Sequence, residues 1–174
     1  MSKTIWFTGL PGAGKSTLAR TLEKALIVRG HACAILDGDE LRRGLCRDLG
    51  YTPDDRSENI RRVAEVARIL NRAGTYAIVA LISPYLADRA LARSLIGGQA
   101  MLEIHVSTPL AVCEARDPKG HYKRARAGEI PDFTGVSAPY EVSPNPELSL
   151  DTSILSLANC MDRIAPLLLV RHEV

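Results

Sequence analysis

Short apolar runs alternate along this chain with stretches whose apolar residues recur every three or four positions. Thr4-Ile5-Trp6-Phe7-Thr8 has the character of a buried strand. After it, Leu18, Leu22, Ala25 and Leu26 recur at helical spacing. Residues 32–36 form a second predicted strand. Thr52-Pro53-Asp54-Asp55 opens a helix, with Thr52 as N-cap, Pro53 at the first helical position and two carboxylates in the first turn. Its apolar face is Ile60, Val63, Ala64, Ala67 and Leu70, and Gly74 ends it. Residues 77–82 are a third strand, apolar throughout, as a strand covered on both faces should be. Residues 102–106 are a fourth and 148–150 a short fifth. A last helix is expected from Ser153, with Ile154, Leu157, Ala158, Met161 and Ile164 turned inward. The alternation predicts an α/β fold: a parallel five-stranded sheet with helices on both faces, a three-layer sandwich. Ligands of such sheets bind at the carboxyl ends of the strands.

Residues 117–147 break the pattern. They are rich in Pro, Gly and charge, with little apolar periodicity. The cations Arg116, Lys119, Lys123, Arg124 and Arg126 cluster at the start. Long irregular segments in compact domains are usually functional or disordered. A solvated loop is one reading; the other is a lid that clamps anions and excludes water. On the lid reading Phe133 is expected to be solvated, with no core role.

Composition narrows the setting. With 174 residues the chain makes one domain, 1–174, large enough for a full core. A net charge of +2 gives no electrostatic footprint for nucleic acid. Cys33, Cys46, Cys113 and Cys160 have no metal spacing. Three are expected to be buried thiols, with Cys46 left open, a pattern that fits a reducing compartment. No leader pattern and no membrane-spanning run is seen, so a cytoplasmic setting without a membrane partner is expected.

The chemistry begins at Gly9-Leu10-Pro11-Gly12-Ala13-Gly14-Lys15-Ser16-Thr17, which fits G-x-x-x-x-G-K-[ST] between a strand and a helix. Glycines let backbone N–H groups turn in on phosphate oxygens, and the helix N-terminus adds partial positive charge. Lys15 is expected on the β/γ-phosphates and the Ser16 hydroxyl on Mg²⁺. The expected ATP contacts are Gly9, Gly12, Ala13, Gly14, Lys15, Ser16 and Thr17, with Arg116. The second strand runs into Asp37-Gly38-Asp39-Glu40-Leu41-Arg42. One carboxylate can orient or deprotonate an acceptor hydroxyl, and the other, Asp37, can hold hydrated Mg²⁺. Arg42 can fork onto an anion. The plainer reading makes Asp39 only a helix cap. Arg56, Asn59 and the segment Ile82-Ser83-Pro84-Tyr85 point to the same end of the sheet. Tyr51 and Phe133 either pack locally or stack on a base.

With these residues assembled, the chain resembles the adenylyl-sulfate kinase (APS kinase) family from about Ile5 to Thr152. The separated motifs carry this: the phosphate loop; Asp37-Gly38-Asp39 with Arg42; Asp48-Leu49-Gly50; Asp55-Arg56 with Glu58-Asn59-Ile60-Arg61-Arg62-Val63; Ile82-Ser83-Pro84-Tyr85; Lys119-Gly120-His121-Tyr122-Lys123-Arg124-Ala125-Arg126-Ala127-Gly128-Glu129-Ile130; and Phe133-Thr134-Gly135. Only the first is generic to P-loop proteins. The resemblance implies transfer of the γ-phosphoryl of ATP to the 3′-hydroxyl of adenosine 5′-phosphosulfate, with Mg²⁺. It implies Asp39 as base, and Arg42, Arg56 and Asn59 on phosphosulfate and ribose. Ile82 and Ser83 would line that pocket, Tyr51 and Phe133 bracket the adenine, and Lys119 reach in from the lid. Isolated kinases of this type occur as homodimers, which implies the same here. A serine phosphoenzyme is discussed for the position matching Ser83. Direct in-line transfer needs none, so Ser83 is taken as a pocket residue with a catalytic role left open. Pro11, Glu40, Tyr51 and His121 depart from the common pattern. Another small-molecule P-loop kinase would share the loop but not the Phe133-Thr134-Gly135 lid. A GTP-dependent switch would need a guanine motif, and Asp117-Pro118-Lys119-Gly120 follows a helix rather than a strand. A nucleotide-gated binding module without turnover is a third alternative.

Overall fold

The computed structural model describes residues 2–169. Five parallel strands make one sheet: β1 (Thr4–Thr8), β2 (Cys33–Asp37), β3 (Tyr76–Ala80), β4 (Met101–Val106) and β5 (Leu148–Leu150), in the order β2-β3-β1-β4-β5. Among the described residues seven helices accompany the strands: α1 (Lys15–Val28), α2 (Gly38–Leu41), α3 (Pro53–Arg72), α4 (Leu86–Ile96), α5 (Leu110–Arg116), α6 (His121–Arg126) and, after β5, α7 (Leu157–Leu169). Alternation along the strands divides the core into two layers. Ile5, Phe7, Ile78 and Ile104 pack against Leu18, Leu22 and Leu26 of α1 and Ile164 of α7. Trp6, Ala77 and Val79 pack against Ile60, Val63 and Ala67 of α3 and Ala92 and Ile96 of α4. Each fully buried large apolar side chain contributes about 1.5–3 kcal/mol.

The order puts β1 at the centre, between β3 and β4, with Phe7 opposite both Ala80 and Ile104. The carboxyl ends of β1, β2 and β3 therefore open side by side. Helix α3 starts as its sequence predicts. The Thr52 hydroxyl accepts from Asp55 N at 3.2 Å and donates to the Asp55 carboxylate at 2.7 Å.

Several expectations are corrected. Strand β3 stops at Ala80, short of Ile82, because the chain leaves the sheet to build a turn. The last helix begins at Leu157, not Ser153. Asp151 Oδ1 accepts from Ser153 N at 2.8 Å and from its hydroxyl at 2.6 Å, closing a turn that leaves Ile154 79% exposed. Leu157 and Ala158 are also exposed, so the inner face begins at Cys160. Helix α4 escaped the periodicity reading because two charged residues, Asp88 and Arg89, occupy its buried face. Cys46 is buried, whereas Cys33 is only half-buried, and all four thiols are free.

Residues 117–147 are not uniformly irregular. They contain α6, whose first amides at Tyr122 and Lys123 donate to the Asp117 carboxylate, each at 3.0 Å. Phe133 is 9% exposed and meets the buried Tyr122 ring edge-on, centroids 5.0 Å apart. The expectation of a solvated ring fails: the segment carries its own small aromatic core, joined to the α1 side of the sheet. No described helix is long and apolar enough to cross a membrane.

Candidate active site

The loop after β1 turns through three positive-φ glycines, Gly9, Gly12 and Gly14. Gly9 has φ +148, and a Cβ there would lie 2.5 Å from the Val106 carbonyl oxygen, so the chain passes β4 only without a side chain. Lys15 opens α1 and folds back, its Nζ donating to the carbonyls of Gly9 (2.8 Å) and Leu10 (2.7 Å). Burial of this ammonium lowers its pKa to about 8, against the opposing influence of carboxylates at Asp37 and Asp39.

Asp37 closes β2 and does two things. Its Oδ2 accepts from the Ser16 hydroxyl at 2.6 Å, and its Oδ1 accepts from Asp39 N at 3.0 Å, capping α2. The cap is therefore Asp37, and the Asp39 side chain is left for other work. It stands exposed at the strand ends, ion-paired with Lys119 from the lid segment. Arg116 ties the loop to the chain after β5. It donates to the carbonyl of Gly12 at 3.4 Å, and to the Thr152 hydroxyl at 2.8 Å and carbonyl at 2.9 Å.

On the far side of Asp39, cations and aromatics converge. Arg42 Nη1 donates to the carbonyls of Leu49 (3.2 Å) and Gly50 (2.6 Å), and its guanidinium lies 4.2 Å from the Tyr51 ring centroid. Arg56 is buried and bridges the carbonyls of Tyr51 (2.9 Å) and Asp132 (2.7 Å), joining α3 to the lid segment. Burial depresses its pKa. Asn59 is buried with its Oδ1 unpartnered. Ser83 has φ +47 and accepts a hydrogen bond from Trp6 Nε1 at 3.0 Å.

One cavity of about 820 Å³ joins these parts. Gly12, Gly14, Lys15, Ser16, Thr17, Asp37 and Arg116 line one end; Asp39, Arg42, Tyr51, Arg56, Asn59, Ile82, Ser83, Lys119 and Phe133 line the rest. Of the residues assigned a nucleotide, acceptor or metal contact from sequence, only Gly9 and Ala13 lie off its wall; of the lid cations, Lys123 and Arg126 also lie off it. The Gly9 carbonyl serves Lys15, and the Ala13 carbonyl accepts from the hydroxyls of Thr108 and Thr152. Sequence reasoning missed Thr152, whose surroundings carry no signal. It also missed Tyr122, whose hydroxyl donates to the Pro11 carbonyl at 2.9 Å. The Tyr122 side chain was legible only as part of the Lys119–Ile130 motif.

A phosphate loop, a hydroxyl–carboxylate pair beside it and an exposed carboxylate, paired only with a lid lysine and facing a cationic pocket, define a phosphotransferase of the P-loop kinase class. The comparisons narrow the class. The adenylylsulphate kinase family matches residues 1–151, and the chain belongs to that family. It is 57% identical over 149 residues to the adenylyl-sulfate kinase of Shewanella amazonensis, covering 86% of this chain and 75% of that one. It is 50% identical over 170 residues to that of Marinobacter nauticus, covering 98% and 85%. Among solved structures, the Mycobacterium tuberculosis APS kinase CysC in complex with AMPPNP and APS superposes with a TM-score of 0.92 at 45% identity, covering 96% of this chain and 97% of that one.

Proposed function

We propose that this chain moves the γ-phosphoryl of ATP to the 3′-hydroxyl of adenosine 5′-phosphosulfate, leaving ADP and the 3′-phosphorylated product. The observation that carries the reading is one continuous cavity running from the phosphate loop past Asp39 into a pocket whose wall includes Arg42, Arg56, Tyr51 and Phe133. A phosphoryl donor fits one end and an anionic nucleotide the other. Family membership and the APS- and AMPPNP-bound relative support both assignments.

The roles follow from position. The loop amides and Arg116 hold the ATP phosphates, and Lys15 exchanges its two carbonyl partners for phosphate oxygens. The hard oxygens of Ser16 and Asp37 suit Mg²⁺, which binds through few protein ligands besides phosphates and waters. When bound, the ion would neutralise charge on the β- and γ-phosphates. Arg42, Arg56 and Asn59 take the phosphosulfate and ribose, Ile82 forms pocket wall, and Tyr51 and Phe133 bracket the adenine. Asp39 accepts the 3′-hydroxyl proton as the new O–P bond forms and the γ-phosphate's bond to ADP breaks. Lys119 must leave Asp39 when the acceptor arrives, and then faces the transferring group. Ser83 is a wall residue: its hydroxyl is engaged by Trp6 and its transfer chemistry is not needed.

The test is product identity. With ATP, Mg²⁺ and adenosine 5′-phosphosulfate, ADP and the 3′-phosphorylated acceptor should form one for one. ATP hydrolysis independent of the acceptor, or phosphorylation of a sugar or nucleoside instead, defeats the reading. We further propose that residues 1–174 act as one catalytic domain in a cytoplasmic homodimer. Light scattering at twice the monomer mass is the expected result.

A further inference from the structure

The acceptor end of the cavity rests on a residue outside its wall. Ser83 sits in the left-handed region at φ +47, which residues with a Cβ rarely adopt. Its carbonyl accepts from Arg89 Nη1 at 2.5 Å, and Nη2 of the same guanidinium donates to the Glu141 carbonyl at 2.5 Å. The third edge, Nε, lies 3.1 Å from Glu103 Oε1, an ion pair without hydrogen-bond alignment. Arg89 is 2% exposed and Glu103 is buried beside it. One residue of α4, held by a carboxylate of β4, therefore grips both the pocket turn and the trailing end of the lid segment.

The grip is doubled around it. Glu141 N donates to the Pro84 carbonyl at 2.8 Å, and Leu86 N donates to Glu141 Oε2 at 2.6 Å. The Tyr140 hydroxyl lies 2.9 Å from that of Thr8, which donates to the Ile82 carbonyl at 2.7 Å.

A buried ion pair is weak evidence for stability, because an apolar pair of the same volume often does as well. An apolar pair cannot hold two carbonyls from different loops. The planar fork of arginine can. Strained backbone persists only where its surroundings over-determine it, and here Arg89 supplies that determination at the turn bearing Ile82 and Ser83.

We propose that Arg89, fixed by Glu103, is a positioning residue for the acceptor. It sets the turn at Ser83 against the end of the lid, so that the acceptor pocket has its shape before the substrate enters. The proposal rests on the acceptor assignment above. Arg89 makes no hydrogen bond to the phosphate loop, so its loss should leave the ATP end intact.

Arg89→Lys keeps a cation for Glu103 but lacks the fork. The double variant Arg89→Met with Glu103→Met removes both charges together. The KM for adenosine 5′-phosphosulfate should rise roughly tenfold to a hundredfold in Arg89→Lys, the scale of a misplacement near 1 Å. AMPPNP affinity should stay within about twofold of wild type, since loop contacts are untouched. A folded double variant should show the same split; if it does not fold, Arg89→Lys decides alone. Wild-type acceptor KM in Arg89→Lys overturns the proposal. So does equal weakening of acceptor and AMPPNP in step with a lowered Tm, which would mark a scaffold residue only. A wild-type chain that does not phosphorylate this acceptor sinks the substrate assignment as well, and that is seen before any variant is made.

Discussion

Lys15 shows how one residue's burial sets a measurable pH limit. Its ammonium is held by two carbonyls and its pKa is lowered to about 8 by desolvation. The charged form is the one that binds phosphate. As pH rises through about 8 the free enzyme loses that form, and bound ATP restores it by placing anions against the ammonium. Hence kcat/KM for ATP should fall above about pH 8, while kcat, which reports the bound complex, should hold to higher pH. A kcat/KM profile flat to pH 10 would contradict this. Asp39 gives the complementary case. Asp37 takes the capping duty, so Asp39→Asn should leave the α2 cap whole. It should lower kcat by about two to four decades, the contribution of a lost general base, with AMPPNP affinity unchanged. A variant that loses nucleotide affinity but keeps kcat would make Asp39 a structural or metal-side residue.

At the level of elements, the lid segment and α4 are where sequence and structure part. Strands β1, β4 and β5 and the cap of α3 were legible because their signals are local: a continuous apolar run, or Thr-Pro-Asp-Asp at a helix start. About half of the cavity's lining was legible too: the phosphate loop and the strand-end carboxylates through short spacings, and most of the acceptor side through the family resemblance. Helix α4 was not, since its buried face carries Asp88 and Arg89, whose partners lie on other elements. The aromatic core of the lid was not, since the contact between Tyr122 and Phe133 is made by a turn of chain and not by periodicity. Phe133 consequently has two roles, wall of the cavity and part of the core. Phe133→Ala should therefore raise the acceptor KM, by the factor that corresponds to about 1–3 kcal/mol of lost stacking. It should also destabilise the free protein by about 3 kcal/mol, the low end for a core phenylalanine, or roughly 6–12 °C in Tm for a domain of this size. A melting curve unchanged by the substitution would return the ring to solvent and the lid to a free flap.

For the molecule as a whole, the lid segment is better described as a strap fastened at both ends than as a flap on a hinge. Tyr122 fastens its front to the Pro11 carbonyl, and Tyr140 and Glu141 fasten its tail to Thr8 and Pro84. Between strap and sheet runs the contact of Lys119 with Asp39, across the mouth of the cavity. Both side chains are more than half exposed, at 53% and 61%, so solvent screens the pair. Exposed pairs of this kind contribute about 0–1 kcal/mol. The contact therefore costs little to break, as the role proposed for Lys119 at the transferring phosphoryl requires. Lys119→Ala should shift Tm by no more than roughly 4 °C, the most that such a pair supports in a domain this size. The same variant should lose about two decades in kcat, the scale of one removed donor at a developing anion. Measured together, calorimetry and steady-state rates separate the two roles. A large fall in Tm would make the pair a structural clasp, and a wild-type kcat would remove Lys119 from the transfer step.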